Sequence, residues 1–226
     1  LVRGGATLSE VLRAPGPTHS VFDVLAAAMA AFAPANQAQA RIALLGFAGG
    51  ALVAPLRAMN CEAPLRCVDI DLAGLEVFER LCGGWAGKVE VQSADAVAFL
   101  RRQRTPFDMI IDDLSVLGPE GETKPEVSLD PLPRLIRENL KPGGIAITNV
   151  LDMPKRPFTE LERTIAAPWR ATASVQIDEH VNRVLLSANN LPSARMLNKT
   201  MNDLLHEIGS TLYRGIKVRR VVNPTI

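Results

Sequence analysis

Histidine and cysteine are scarce in this chain, net charge is almost nil, and no apolar run is long. Each shortage removes a class of function. The three histidines, His19, His180 and His206, are scattered, so no metal site is expected. His180 and His206 read as surface residues, and His19, near a helix start, as a weaker site candidate. The three cysteines, Cys61, Cys67 and Cys82, are odd in number and fit neither a disulfide framework nor a metal-ligand spacing. Cys67 lies inside an apolar strand pattern and reads as a small hydrophobe. Such cysteine usage points to a reducing, cytoplasmic setting. Lysine and arginine number 25 against 24 acids, for a net charge of +1, so nothing global draws the chain to nucleic acid or an anionic membrane. No apolar run is long enough to span a bilayer. The alanine-rich stretch 24–33 breaks at Pro34 with no basic segment and cleavage site around it, and reads as a core helix rather than a secretory signal. The chain opens on Leu1 rather than Met, which leaves room for residues upstream. There is no internal repeat and no low-complexity segment.

What is present suits one α/β domain with appendages. Hydrophobic residues make up 47 % of 226, enough for a sizeable core. Strand patterns at 41–45, 65–68, 89–91, 107–112 and 145–150 alternate with helical ones at 50–59, 72–81, 97–102 and 132–140. Helices of about ten residues between strands imply right-handed crossovers and a parallel sheet covered on both faces. A helix follows at 159–166. Segments 171–177 and 183–188 alternate polar and apolar residues and read as a closing antiparallel pair. The expected architecture is a doubly wound, mostly parallel, seven-stranded Rossmann-like sheet with an antiparallel hairpin. The chain divides into 1–38, an N-terminal segment with a helix capped by Thr18 or Ser20; 39–190, a nucleoside-binding catalytic domain; and 191–226, a helix and a basic tail. Residues 1–18 suit a loop or, over 6–11, a short edge strand, and 34–39 a linker. The Gly/Pro/Glu-rich loop 118–129 has the length and composition of a lid. On the last helix Leu197, Met201, Leu204, Leu205 and Ile208 share one face, for packing on the core or on a second subunit in a homodimer. The tail cations, Arg214, Lys217, Arg219 and Arg220, read as a solvated end.

Function is carried by the strand ends, because doubly wound sheets bind ligands outside the carboxyl ends of their strands. The first strand opens onto Gly46-Phe47-Ala48-Gly49-Gly50, where small residues let backbone N–H groups approach a ligand. The second ends at Asp69-Ile70-Asp71, an acid spaced to accept hydrogen bonds from ribose hydroxyls. The third is followed by Ser93-Ala94-Asp95-Ala96, and the fourth by Asp112-Asp113-Leu114-Ser115. Asp112 is expected to face the opposite layer from Asp113, since strand neighbours alternate. Acids are rarely buried unless paired or facing a ligand, so their convergence on one rim marks a site.

These segments, with Phe107-Asp108-Met109-Ile110-Ile111-Asp112-Asp113 and Leu140-Lys141-Pro142-Gly143-Gly144, resemble the class I S-adenosylmethionine-dependent transferase fold. Within it they resemble the spermidine synthase-like family, over residues 18–188. The resemblance implies that Asp69, with Ile70 beside it, holds the ribose. It implies that Asp95 accepts from the adenine amine beside the Ala96 N–H, and that the loop of Gly46, Ala48, Gly49 and Gly50 passes under the donor's arm. Asp113 matches the first acid of the family's Asp-x-x-Asp-Pro segment, which binds the amine acceptor and helps deprotonate it. The chain also departs from the pattern. Val116 stands at the second acid and the proline is missing. Ala48 replaces a glycine, Gly49 an acid, and Thr18-His19 an aromatic residue before His. The N-terminal β-domain is at most a stub.

The implied activity is transfer of an aminopropyl or methyl group, from decarboxylated S-adenosylmethionine or S-adenosylmethionine, to a small-molecule acceptor such as an amine, with Asp113 as base. Gly49 in place of an acid implies a loop able to accept the donor's carboxylate. The rival is a non-catalytic nucleoside-binding scaffold that kept the fold. A nicotinamide dehydrogenase shares the same beginning but leaves Asp95 and the Lys-Pro-Gly-Gly turn without a role.

Overall fold

The structure is a computed structural model that describes residues 2, 3, 6 and 7 and the runs 9–118, 121–178 and 180–222. Its elements in chain order are β1 (Val2–Arg3), β2 (Ala6–Thr7), α1 (Val21–Ala31), β3 (Ile42–Leu45), α2 (Val53–Ala58), β4 (Leu65–Asp69), α3 (Leu75–Cys82), β5 (Val89–Ser93), α4 (Ala96–Arg101) and β6 (Phe107–Asp112). There follow β7 (Val116–Gly118), β8 (Gly121–Thr123), α5 (Leu132–Glu138), β9 (Leu140–Val150), α6 (Phe158–Ala166), β10 (Ala171–Ile177), β11 (Arg183–Ala188), α7 (Ala194–Glu207) and β12 (Ile216–Arg220).

The main sheet runs β12-β10-β11-β9-β6-β3-β4-β5. The five strands from β9 to β5 are parallel, as the helical crossovers require, and β11, β10 and β12 join antiparallel. The seven expected strands are present, and an eighth comes from the basic tail. Ile216 and Val218 alternate with Lys217 and Arg219, a half-buried strand pattern. Three of the four tail cations have partners within the chain: Arg219 pairs with Glu162, Arg220 donates to the Leu191 and Pro192 carbonyls, and Lys217, still largely exposed, pairs with Asp178. Among the described residues of segment 6–11, Ala6–Thr7 pairs with β1 in a separate two-stranded ribbon.

Period-2 alternation sends Ile42 and Leu44 to one layer and Ala43 and Leu45 to the other. The first layer holds α1, α2, α3 and α7, and the second α4, α5 and α6. Val24 through Met29 of α1 are wholly buried, and small side chains let this helix lie between α2 and α7. Leu197, Met201 and Leu205 of α7 pack into the same core, so the apolar stripe is used within the chain. The α1 N-terminus is not closed by the Ser20 side chain. Instead the buried Asp23 reaches back, accepting from the Thr18 N–H at 2.7 Å, the His19 N–H at 3.0 Å and the Ser210 hydroxyl at 2.6 Å. His19 Nδ1 in turn accepts from the Thr211 N–H at 3.2 Å, a structural tie.

All three cysteines are free and buried, and burial pushes the Cys67 thiol up to about 12, consistent with a hydrophobe's role. Among the described residues no helix is long and apolar enough to cross a membrane.

Candidate active site

At the carboxyl rim of the parallel strands lies a cavity of about 760 Å³. Gly46 and Ala48 line it from the end of β3, Asp69 and Ile70 from β4, Asp95 and Ala96 beyond β5, and Asp113 beyond β6. Four neighbouring strands thus bring most of the expected site residues to one space. Gly49 and Gly50 are not in its wall. A Cβ on Gly49 would meet Ser9 and Val11 at 3.0–3.1 Å, and one on Gly50 the rings of Phe78 and Phe47 at 2.7–2.8 Å. The glycine loop is therefore packed from behind by the N-terminal segment and α3. Ser9, buried, accepts from the Ala51 N–H at 3.1 Å.

Gly46 is required by a close approach. Its φ is +90°, and a Cβ there would stand 2.6 Å from the Asp113 carbonyl oxygen. Gly46→Ala is expected to cost about 3 kcal/mol or more, read as a lowered denaturation midpoint, because φ and crowding oppose it together. Ala48, where the related pattern has glycine, holds a φ of 48°. Asp69 supports that conformation: its Oδ2 accepts from the Phe47 N–H at 2.7 Å and the Ala48 N–H at 2.8 Å, and its Oδ1 from the Asp71 N–H at 2.9 Å. Two N–H groups expected to face a ligand are thus spent on Asp69. A carboxylate has about four acceptor positions, so one remains beside the cavity. Asp95 likewise does two things. Its Oδ1 accepts from the Ala98 N–H at 2.8 Å, capping α4, while the residue lines the cavity.

The two adjacent acids of β6 part as alternation predicts. Asp112 is buried and paired with Lys124 Nζ at 2.9 Å, with the Ser128 hydroxyl at 3.2 Å. Asp113 faces the cavity, and its Oδ1 accepts from Asn149 Nδ2 at 2.8 Å. Burial pushes the Asp113 carboxyl up to about 7; the Asn149 hydrogen bond and Lys124 oppose this, while Asp112 and Glu122 add to it. A carboxylate so placed is neutral at mild acidity and ionised just above neutrality, the condition of a general base.

Several wall residues were not singled out by sequence. Glu122 stands on the β7–β8 hairpin, formed by part of the expected lid segment, and accepts from the Ser115 hydroxyl at 2.9 Å. Glu10, from the N-terminal segment, also lines the cavity. His180, expected on the surface, is a wall residue, as is Asn182. The pairing of Arg183 with Val150 carries the β10–β11 turn to the same rim. The antiparallel pattern was visible in sequence, but not which rim its turn would meet. With Glu10, Asp69, Asp71, Asp95, Asp113 and Glu122 the wall holds six carboxylates, and among the described residues no lysine or arginine. That balance favours a cation. Gly49 itself lies under Ser9, and Glu10 brings an acid to the same wall. No group of histidines, cysteines and acids among the described residues is arranged to hold a metal ion.

No family model matches the chain. It is 27 % identical over 168 residues to an eEF1A lysine and N-terminal methyltransferase homolog of Drosophila pseudoobscura pseudoobscura, a match covering 69 % of this chain and 24 % of that protein. The chain thus spans about a quarter of that relative's length. Among solved structures it is similar to a probable spermidine synthase from Corynebacterium glutamicum, with a TM-score of 0.66 and 16 % identity over 89 % of this chain and 74 % of that one. It is also similar to human methyltransferase-like protein 13 in complex with SAH, at a TM-score of 0.63 and 18 % identity over 83 % and 91 %. A spermidine synthase in complex with the transition-state analogue AdoDATO gives 0.61 and 12 % over 86 % and 66 %. The chain has the Rossmann-like fold of the class I methyltransferases, which the spermidine synthases share.

Proposed function

We propose that the chain is an alkyltransferase that binds an adenosyl sulfonium donor and alkylates an amine, with Asp113 as general base. The observation that carries this is the convergence of Asp69, Asp95 and Asp113 on one cavity; burial, which pushes the Asp113 carboxyl up to about 7, supports it. The wall fits such a donor. Asp69 and Asp95 offer acceptors for hydroxyl and amino groups, Val68, Ile70 and Ala96 give apolar contact, and the six carboxylates suit a positive charge. When bound, the donor supplies a carbon whose bond to sulfur breaks with the electron pair left on sulfur. Asp113 takes the proton that the ammonium must lose before its lone pair can form the new C–N bond. Glu122 and Glu10 hold cationic groups at two further points of the wall.

The charge balance supports decarboxylated S-adenosylmethionine and aminopropyl transfer, because a donor carboxylate would meet acids and no cationic side chain. Methyl transfer from S-adenosylmethionine is the second reading, favoured by the likeness to a lysine and N-terminal methyltransferase homolog. Both end at an amine nitrogen. Calorimetric titration with the two donors separates them: tighter binding of the decarboxylated form is expected, and tighter binding of the carboxylated form would reverse the choice. Glu10→Gln is expected to weaken the decarboxylated donor by about two- to fivefold, the scale of an exposed charge pair, and to leave the other donor unweakened. Failure of both donors to bind would end the transferase reading.

A further inference from the structure

We propose that Asn182 and Asn149 are positioning residues for Asp113, pinning its Oδ1 so that Oδ2 is the atom that takes the proton. This rests on the transferase reading above. Asn149 lies near the end of β9, is buried, and donates from Nδ2 to Asp113 Oδ1 at 2.8 Å. Its own Oδ1 accepts from Asn182 Nδ2 at 3.0 Å. The first bond sets the amide, because an ionised carboxylate only accepts, and the second holds it there. A carboxamide has a donor end and an acceptor end of nearly equal size. With the nitrogen facing the carboxylate, the oxygen is left to accept from Asn182. Turned the other way, the amide would set oxygen against oxygen in a buried place, where an unmatched polar pair is costly.

The consequence is an asymmetric base. Oδ1 is engaged by the Asn149 N–H, and among the described residues no donor reaches Oδ2. A proton leaving an ammonium in the cavity therefore goes to Oδ2, and the amine keeps the electron pair for the new bond. Asn182 stands immediately before β11, in the turn whose His180 also lines the cavity. The orientation of the base is thereby tied to the seating of a turn remote in sequence from β6. The charged groups acting on Asp113 are Lys124, Asp112 and Glu122, and His180 on the turn lines the same cavity. Asn182 and Asn149 carry no charge, so changing them alters hydrogen bonding without altering that field.

The test is a carboxyl carbon-13 NMR titration of Asp113 in the full chain, run beside pH–rate profiles with a panel of primary amines and the donor that binds. Removing a donor from the charged form raises the titration midpoint. Asn149→Leu should raise it by about one pH unit and move the acidic limb of kcat/KM by the same amount. Asn182→Ala should shift both in the same direction by less, and Asn182→Ser, which keeps a hydroxyl donor, should restore them toward wild type. Asn182 lies outside the strands, so its variants carry the test if Asn149→Leu does not fold. Identical midpoints in wild type, Asn182→Ala and Asn182→Ser would overturn the proposal, whatever the turnover. A midpoint that moves in the expected order without turnover under any condition would keep the pinning and sink the transferase reading instead.

Discussion

Asp113→Asn should lower kcat by about 10²- to 10⁴-fold, the range expected for loss of a general base, while donor affinity changes little. Single-turnover measurements with an amine panel and calorimetry on the same preparation check both halves. Undiminished turnover in the variant would remove Asp113 from the chemistry. The pH dependence follows from the same carboxyl. It must be ionised to act, so kcat/KM should fall about tenfold per unit as pH drops below about 7. Stability should show the opposite trend. In the folded state Asp113 keeps its proton up to about 7, whereas an unfolded aspartate loses it near 3.8. Between those values the folded state binds the extra proton, so the contribution of Asp113 to stability falls as pH rises through the window. Asp113→Asn removes that loss, and its thermal midpoint should exceed wild type by a few degrees at pH 8 and match it near pH 4. A variant less active yet more stable is the signature of a group held for function at the expense of the fold.

Lys124→Met should destabilise the chain by about 3–5 kcal/mol, the cost of leaving one member of a buried ion pair without the other. Lys124 and Asp112 have side chains 0 % and 2 % exposed, so little water reaches either. The ammonium also donates to the Asp112 carbonyl at 3.2 Å and the Leu114 carbonyl at 3.1 Å. It therefore fastens residues 112–114, and with them Asp113, to the segment that carries the β7–β8 hairpin. Urea denaturation would measure the loss. The double variant Asp112→Asn, Lys124→Met should recover part of it, because the uncompensated carboxylate is gone. A loss below about 1 kcal/mol would mean that water reaches the pair and that it behaves as a surface contact. Lys124 also draws the Asp113 carboxyl downward, so surviving Lys124→Met protein should show its acidic limb at higher pH than wild type.

Much of the fold was legible because its signals are local. The apolar runs at β3, β4 and β6, the glycines after β3 and the turn before Ile145 each follow from neighbours in sequence, and the crossover rule then sets the parallel order. The same locality placed Gly46, Ala48, Asp69, Ile70, Asp95, Ala96 and Asp113 at one rim, since each ends or follows a strand of the same direction. Alternation alone separated Asp112 from Asp113. The tail strand was hidden by its charge: Arg219 and Arg220 look solvated until Glu162 and the 191–192 carbonyls come beside them.

Sequence by itself determined the sheet, the rim and the acids on it, because strand period, helix length and glycine turns are properties of a few consecutive residues. Only the tertiary structure decided what those acids do. Asp69 turned inward to hold the loop, Glu10 and Glu122 came to the wall from outside the parallel strands, and Asn182 met Asn149 across 33 residues. Charge balance in a cavity and the direction of a hydrogen bond belong to pairs of groups that the chain brings together only by folding.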